Sequence, residues 1–216
     1  MGLISIEGPM GSGKTLTESM LGLDAHLEGR TVYANYHLNF PYKPFNEDIF
    51  YELNDRGFEL NDCLILADEG YLIADARRSG SKQNLAFSYY IVQTRKRKVD
   101  MAFATHKFDR LDKRVRDSVT MRIACKFKKG IPAIYYNRRT KQPLLTKDGK
   151  FIQVMDPKTE EPIWIVKPLL TLTIRDFIKG GVDVQPIDPT PIFKVYNTDE
   201  IVAVPPKMVQ KYSEVA

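Results

Sequence analysis

Gly8-Pro9-Met10-Gly11-Ser12-Gly13-Lys14-Thr15 satisfies the pattern G-x-x-x-x-G-K-[ST] at every specified position. Its neighbours are those the pattern demands. Leu3-Ile4-Ser5-Ile6 is a short apolar run that the glycines terminate, as a buried strand entering a loop would be. From Lys14 onward, Leu16, Met20, Leu23 and Leu27 recur at helical spacing until Gly29, which suits the left-handed position after a helix end. Thr31-Val32-Tyr33-Ala34 reads as a second strand. Strand, glycine-rich loop, helix and strand in this order form a βαβ unit, whose crossover implies a parallel sheet.

The chemistry of the loop follows from its residue types. Glycines let consecutive backbone N–H groups turn inward as an anion nest, the next helix offers its positive end, and Lys14 can reach the β- and γ-phosphates. The Thr15 hydroxyl is a hard oxygen ligand of the kind Mg²⁺ needs. Gly8, Pro9, Met10, Gly11, Ser12, Gly13, Lys14 and Thr15 are therefore expected to cradle ATP, with Mg²⁺ as the second cofactor. Cys63-Leu64-Ile65-Leu66-Ala67 is a continuous apolar run closed by Asp68-Glu69, as a central parallel strand buried on both faces would be. Carboxylates at the carboxyl end of such a strand lie where these sheets bind ligands. Asp68 is assigned to the metal and Glu69 to general-base work on the attacking water. Val99 to Thr105 is the next strand, and a strand ending in Thr105-His106 beside Asp68 would aim two polar side chains at the γ-phosphate. His106 is thus either a sensor of hydrolysis or the first residue of a loop. Arg95 or Arg97 either stabilises charge on the transferring phosphoryl group or caps a helix end.

Elsewhere the pattern predicts short helices near Asn46 to Leu53 and from Asp109 to Asp117, and a longer one from Lys82 to Arg95. After Val119 the texture changes to strands and turns. Met121 to Phe127 and Ile131 to Tyr136 flank Lys128-Lys129-Gly130, while Phe151 to Met155 and Ile163 to Val166 flank Asp156-Pro157-Lys158-Thr159. Both pairs read as antiparallel hairpins. A helical segment is expected over Thr173 to Lys179, and an extended tail over 186–206. The fold class expected is α/β: a P-loop NTPase with a central, mostly parallel sheet flanked by helices, plus C-terminal β-hairpin additions. Residues 1–128 form the ATPase core in this reading, and 129–216 a strand-rich extension packed on it.

A chain of 216 residues with 43% hydrophobic content can bury a self-sufficient core, which excludes wholesale disorder. Cys63 and Cys125 stand far apart, without Cys or His at ligand spacing, so neither a disulfide framework nor a structural zinc site is indicated. No secretory leader pattern and no apolar stretch of membrane-spanning length is present, so the expectation is a soluble, unexported protein. The net charge of +5 conceals an asymmetry: Arg95 to Lys129 carries +9, leaving −4 for the rest. A basic block of that size suits either a nucleic-acid backbone, contacted through phosphates without sequence preference, or a subunit interface.

Taken together, these residues resemble viral P-loop ATPases related to the zonula occludens toxin-like morphogenesis proteins and to the FtsK/HerA family of DNA-pumping motors. The resemblance rests on Gly8 to Thr15, Thr31 to Leu38, Leu64 to Gly70, the basic-then-apolar segment 95–106, and Phe108 to Arg116. Val195 to Glu200 is similar to a closing Tyr-x-Thr-x-Glu signature. His106 stands where this family usually has Gln. The resemblance implies a ring of identical subunits that threads double-stranded DNA into a preformed capsid, in the host cytoplasm or associated with the virion. Capsid or membrane-associated assembly proteins are further implied partners. ATP would lie between subunits, with Arg110, Arg114 or Arg116, or else Arg77 or Arg78, reaching in from the neighbour. The alternative within the same resemblance is a zonula occludens toxin-like assembly or extrusion factor that uses ATP as a switch and never grips DNA. A small-molecule kinase fits poorly, because the hairpins offer no Arg-rich helical lid.

Overall fold

The computed structural model describes residues 2–45, 60–70, 87, 91 and 98–195. Eight strands form one sheet: β1 (Leu3–Glu7), β2 (Thr31–Ala34), β3 (Lys43–Pro44), β4 (Cys63–Ala67), β5 (Val99–Thr105), β6 (Val119–Lys128), β9 (Leu169–Asp176) and β10 (Val182–Ile187). Their order is β10-β9-β6-β1-β5-β4-β2-β3. The six strands from β6 to β3 are mutually parallel, and β9 and β10 add an antiparallel margin. The expected α/β class with a mostly parallel sheet is what the chain adopts.

Strand alternation divides the core into two layers. Leu3, Tyr33, Ile65, Met101 and Phe103 face one side, where Phe87, Ile91, Leu111 and Val115 cover them. Ile4, Ile6, Val32, Leu64 and Leu66 face the other, under α1 (Lys14–Leu27). On that side β5 presents Ala102 and Ala104, with Asp100 at its start. Those small side chains, with Gly22 on the helix, allow a close approach: a Cβ on Gly22 would lie 2.6 Å from Leu66 Cδ1. A 3-10 turn at Phe108–Arg110 and α2 (Lys113–Ser118) follow β5, so the expected helix over Asp109 to Asp117 is broken. The break falls at Asp112, whose carboxylate accepts from the Arg114 N–H and caps α2.

Three readings of the C-terminal region are corrected. Thr173 to Lys179 is not helical: Leu169–Asp176 is a strand paired antiparallel with β6, because Leu170, Leu172 and Ile174 alternate with polar residues and point into the core. The partner of Met121 to Phe127 is therefore β9 and not residues 131–136. Nor is the stretch after 186 wholly extended, since Val182–Ile187 is β10 and Thr190–Lys194 a 3-10 turn packed on α1.

Between β6 and β9, residues 131–166 leave the sheet as an arm. Its base is β7 (Ile131–Pro132) paired with β8 (Trp164–Val166). Above it lie two three-way junctions, each a ring of three backbone hydrogen bonds. In one, Ala133 N–H donates to Ile163, Ile163 to Val154 and Val154 to Ala133, at 2.7–2.8 Å. In the other, Tyr135 donates to Ile152, Ile152 to Leu144 and Leu144 to Tyr135, at 2.8–3.0 Å. From these junctions three hairpin leaves diverge, with tips at 137–142, 146–150 and 156–161. The expected pairing of 151–155 with 163–166 is present in the Met155–Pro162 bridge and the Ile163–Val154 bond.

The expected helices at Asn46 to Leu53 and Lys82 to Arg95 lie outside the described residues, apart from Phe87 and Ile91, which are helical and buried. Among the described residues no helix is long and apolar enough to cross a membrane.

Candidate functional site

β1 ends at Glu7, and the chain turns through the glycine-rich loop into α1. Two glycines are required there. Gly13 sits at φ +90° and a Cβ would meet Leu170 Cδ1 at 2.8 Å; on Gly8, at φ +152°, a Cβ would meet Ser12 Oγ at 2.3 Å. Ser12 Oγ is buried without a hydrogen-bond partner. Lys14 is buried as well, its ammonium donating to the Pro9 carbonyl at 3.2 Å, so the loop wraps its own lysine. Met10, at the loop's crest, is 87% exposed.

The carboxyl ends of β4 and β5 complete the site. Thr15 Oγ1 donates to Asp68 Oδ2 at 2.9 Å, joining the end of the loop to the end of β4 across 53 positions of sequence. Asn35, just beyond β2, holds Asp68 from the other side: its Nδ2 donates to the Asp68 carbonyl and its Oδ1 accepts from the Asp68 N–H, both at 2.9 Å. Burial pushes the Asp68 carboxyl above its ordinary value, and the Glu69 charge adds to this against the opposing Thr15 hydrogen bond. A carboxylate desolvated in this way favours a cation beside it. Glu69 lies in the left-handed region at φ +56°, a conformation non-glycine residues seldom adopt. Its N–H donates to Asp68 Oδ1 at 3.0 Å, which helps hold the turn.

His106 joins the two halves. Its Nδ1 lies 3.3 Å from Lys14 Nζ and its Nε2 lies 3.3 Å from Glu69 Oε1. A lysine ammonium only donates, so Nδ1 must accept, and Nε2 then carries the proton that points at Glu69. The result is a directed chain, Lys14 to His106 to Glu69, whose far end leaves Glu69 Oε2 buried and unpartnered. His106 is the first residue after β5, and its ring is turned into the site between Lys14 and Glu69.

The structure brings together Gly8 to Thr15, Asp68, Glu69 and His106. Arg114 Nε and Nη2 both bind Asp112 of the same chain at 3.0 Å, and that contact holds the Asp112 carboxyl below its usual range. Arg116 pairs with Asp109 at 3.5 Å, and Arg110 lies exposed on the 3-10 turn. Arg77, Arg78, Arg95 and Arg97 lie outside the described residues, as do the positions after Val195 in the closing signature.

Family models contain no match to this chain, and no curated protein matches it. Solved structures do. The chain is similar to the N-terminal domain of zonular occludens toxin from Neisseria meningitidis, at 16% identity and a TM-score of 0.52, covering 91% of this chain and 98% of that one. It is similar also to the DNA-packaging ATPase from Sulfolobus turreted icosahedral virus, at 14% identity and a TM-score of 0.52, covering 86% and 98%. The genome-packaging NTPase from Sulfolobus turreted icosahedral virus 2, solved with AMPPCP, matches at 10% identity and a TM-score of 0.50, again covering 86% and 98%. The chain has the fold of a P-loop NTPase.

Within that fold, three features escaped the sequence reading. Asn35 lies in a quoted segment, but a clamp on another strand's backbone has no sequence signature. Glu7 and Arg122 pair at 2.7 Å through both carboxylate oxygens, and the Arg122 guanidinium stacks 4.0 Å over Phe108, tying β6 to the turn after β5. Glu18, one turn beyond Thr15, is fully buried and neither carboxylate oxygen has a hydrogen-bond partner. A charged residue on the inner face of α1 contradicts the helix's apolar pattern, and that was the available signal.

Proposed function

We propose that this chain is an ATPase whose subunits form a ring and translocate double-stranded DNA, packaging a viral genome into a capsid. The observation that carries the reading is the Lys14–His106–Glu69 chain standing beside the Thr15–Asp68 contact. The residues fit the nucleotide and its metal: the loop is turned for backbone N–H groups to converge, and Ser12 Oγ and Glu69 Oε2 are buried polar atoms without partners. ATP with Mg²⁺, when bound, supplies the transferable γ-phosphoryl group and neutralises charge on its oxygens. Thr15 and Asp68 would hold the metal, and Lys14 would leave the Pro9 carbonyl for the phosphates. With Lys14 on the phosphates, His106 Nδ1 would lose its donor, while its Nε2–H would still hold Glu69 Oε1 and leave Oε2 for the water. Glu69 takes the water's proton.

DNA as the substrate is supported by the basic block. Lys107, Arg110, Lys113, Lys126, Lys128 and Lys129 belong to it, on the turn after β5, on α2 and on β6. The test is ATP turnover with and without duplex DNA at 50 and 200 mM salt. Stimulation by DNA that falls steeply with salt is expected. Glu69→Gln should keep ATP binding while turnover drops by about 10²-fold or more. A second reading, an assembly factor with ATP as a switch, draws on the similarity to the toxin domain over 91% of the chain. It predicts turnover indifferent to DNA.

A further inference from the structure

The arm at 131–166 has no role in the site described above, and its composition is unlike that of a solvated appendage. Tyr136, Leu145 and Phe151 are 56%, 52% and 56% exposed, and Ile165 is 72% exposed. Its strands meet in junctions of backbone hydrogen bonds and not across a packed interior, so apolar side chains are turned outward around both junctions. Contiguous exposed apolar surface of this kind marks an interaction site.

Charge identifies the partner. The leaf at 137–142 carries Arg138, Arg139 and Lys141 with no acid, and none of the three makes an ion pair among the described residues. The leaf at 156–161 carries Asp156, Glu160 and Glu161 against Lys158, and Glu161 also lies 3.7 Å from the exposed Lys194 ammonium of the same chain. The two leaves leave separate junctions, so the basic tip and the acidic tip are distinct surfaces of one arm. A polyanion would be drawn to one leaf and repelled by the other, whereas a second arm presents both complements. The root of the arm fixes where this happens. Lys128 and Leu169 pair at its base, while the neighbouring Leu170 and Phe127 lie 2.8 and 3.6 Å from where a Cβ on Gly13 would be. The arm therefore leaves the sheet at the end where the phosphate loop opens.

We propose that the arm is the subunit-joining element, its basic leaf docking on the acidic leaf of a second copy of this chain. Such a contact is head-to-tail, uses different surfaces on the two copies, and closes into a ring if the rotation between copies permits. The inference rests on the ring in the functional reading above and assigns its contact surface.

The test is sedimentation velocity of the full chain across a concentration series. Arg138→Glu with Arg139→Glu reverses one leaf, and Glu160→Lys with Glu161→Lys reverses the other. Each pair should weaken self-association on the order of tenfold or more, because like charges then meet. Carrying all four substitutions in one chain should restore association, and so should mixing the two double variants, since every contact then regains opposite signs. Thermal melting and ATP-analogue binding by each variant, unchanged, show that folding and the nucleotide site survive. Association indifferent to both reversals, or unrestored by their combination, overturns the arm's role while leaving a ring possible through another surface. A wild-type chain that stays monomeric at every concentration overturns ring and arm together. Loss of duplex DNA binding in the Arg138→Glu/Arg139→Glu variant with association intact would reassign the leaf to nucleic acid and overturn the proposal.

Discussion

Glu18→Gln isolates one group whose surroundings are fully specified. Glu18 sits on the face of α1 turned to the sheet, completely buried, near the backbone of Ala67 and Ala104. Burial drives its pKa well above the ordinary value of 4.5, the nearby Asp68 charge raises it further, and the two backbone groups offset only part of this. The folded protein thus retains a proton that the unfolded chain releases once pH exceeds 4.5. Unfolding then releases a proton, so this group's contribution to stability is complete below pH 4.5 and declines as pH rises, until the buried acid itself ionises. The decline is about 1.4 kcal/mol per pH unit, the full linkage slope for one proton. Gln keeps the shape and has nothing to titrate. Urea unfolding of the wild type and the variant at pH 5, 6, 7 and 8 should therefore give stabilities that diverge in favour of Glu18→Gln, by up to about 1.4 kcal/mol per unit and levelling off where the buried acid ionises. All other titrations are common to both chains and cancel. Parallel curves across this range would refute the reasoning, because they would mean that Glu18 titrates in the folded protein as it does in the unfolded one.

The other predictions concern the site directly. Lys14→Ala should weaken ATP binding by roughly 10–100-fold in equilibrium titration, the worth of a hydrogen bond to a charged group. His106→Ala should lower turnover by up to about 10²-fold with ATP affinity changed only a few-fold, because it loosens Glu69 and leaves the phosphate cradle intact. Asn35→Ala removes both bonds that hold the Asp68 backbone, each 2.9 Å long, and should cost about 1–3 kcal/mol in urea unfolding.

What the sequence shows of this molecule is its N-terminal half and its chemistry. The apolar runs at Leu3–Glu7, Cys63–Ala67 and Val99–Thr105 are strands buried on both faces, and a helix follows Lys14 as expected, but its buried face is Leu16, Thr17, Glu18, Ser19, Gly22 and Ala25, and Leu27 of the expected stripe is exposed. Asp68, Glu69 and His106 were legible as strand-end residues, since parallel strands deliver their carboxyl ends to one edge. Their geometry was not: that the imidazole bridges Lys14 and Glu69 depends on β5 lying between β1 and β4, which no local pattern states. Leu169–Asp176 was misread because its alternation is short and flanked by charges, and only pairing with β6 decides it. The arm was legible as strands and turns. Its three-way junctions join residues from three segments at once, so no single hairpin signal could disclose them. The Arg114–Asp112 contact was not legible either, since a pairing two positions apart has no pattern of its own in the sequence.

The central claim is that hydrolysis at Glu69 moves duplex DNA, and displacement of a triplex-forming strand from a linear duplex measures it directly. The account predicts ATP-dependent displacement by the wild type, none with a non-hydrolysable analogue, and none by Glu69→Gln, which should still bind ATP. Displacement that proceeds without hydrolysis, or its absence while ATP is turned over rapidly on the same DNA, would contradict it.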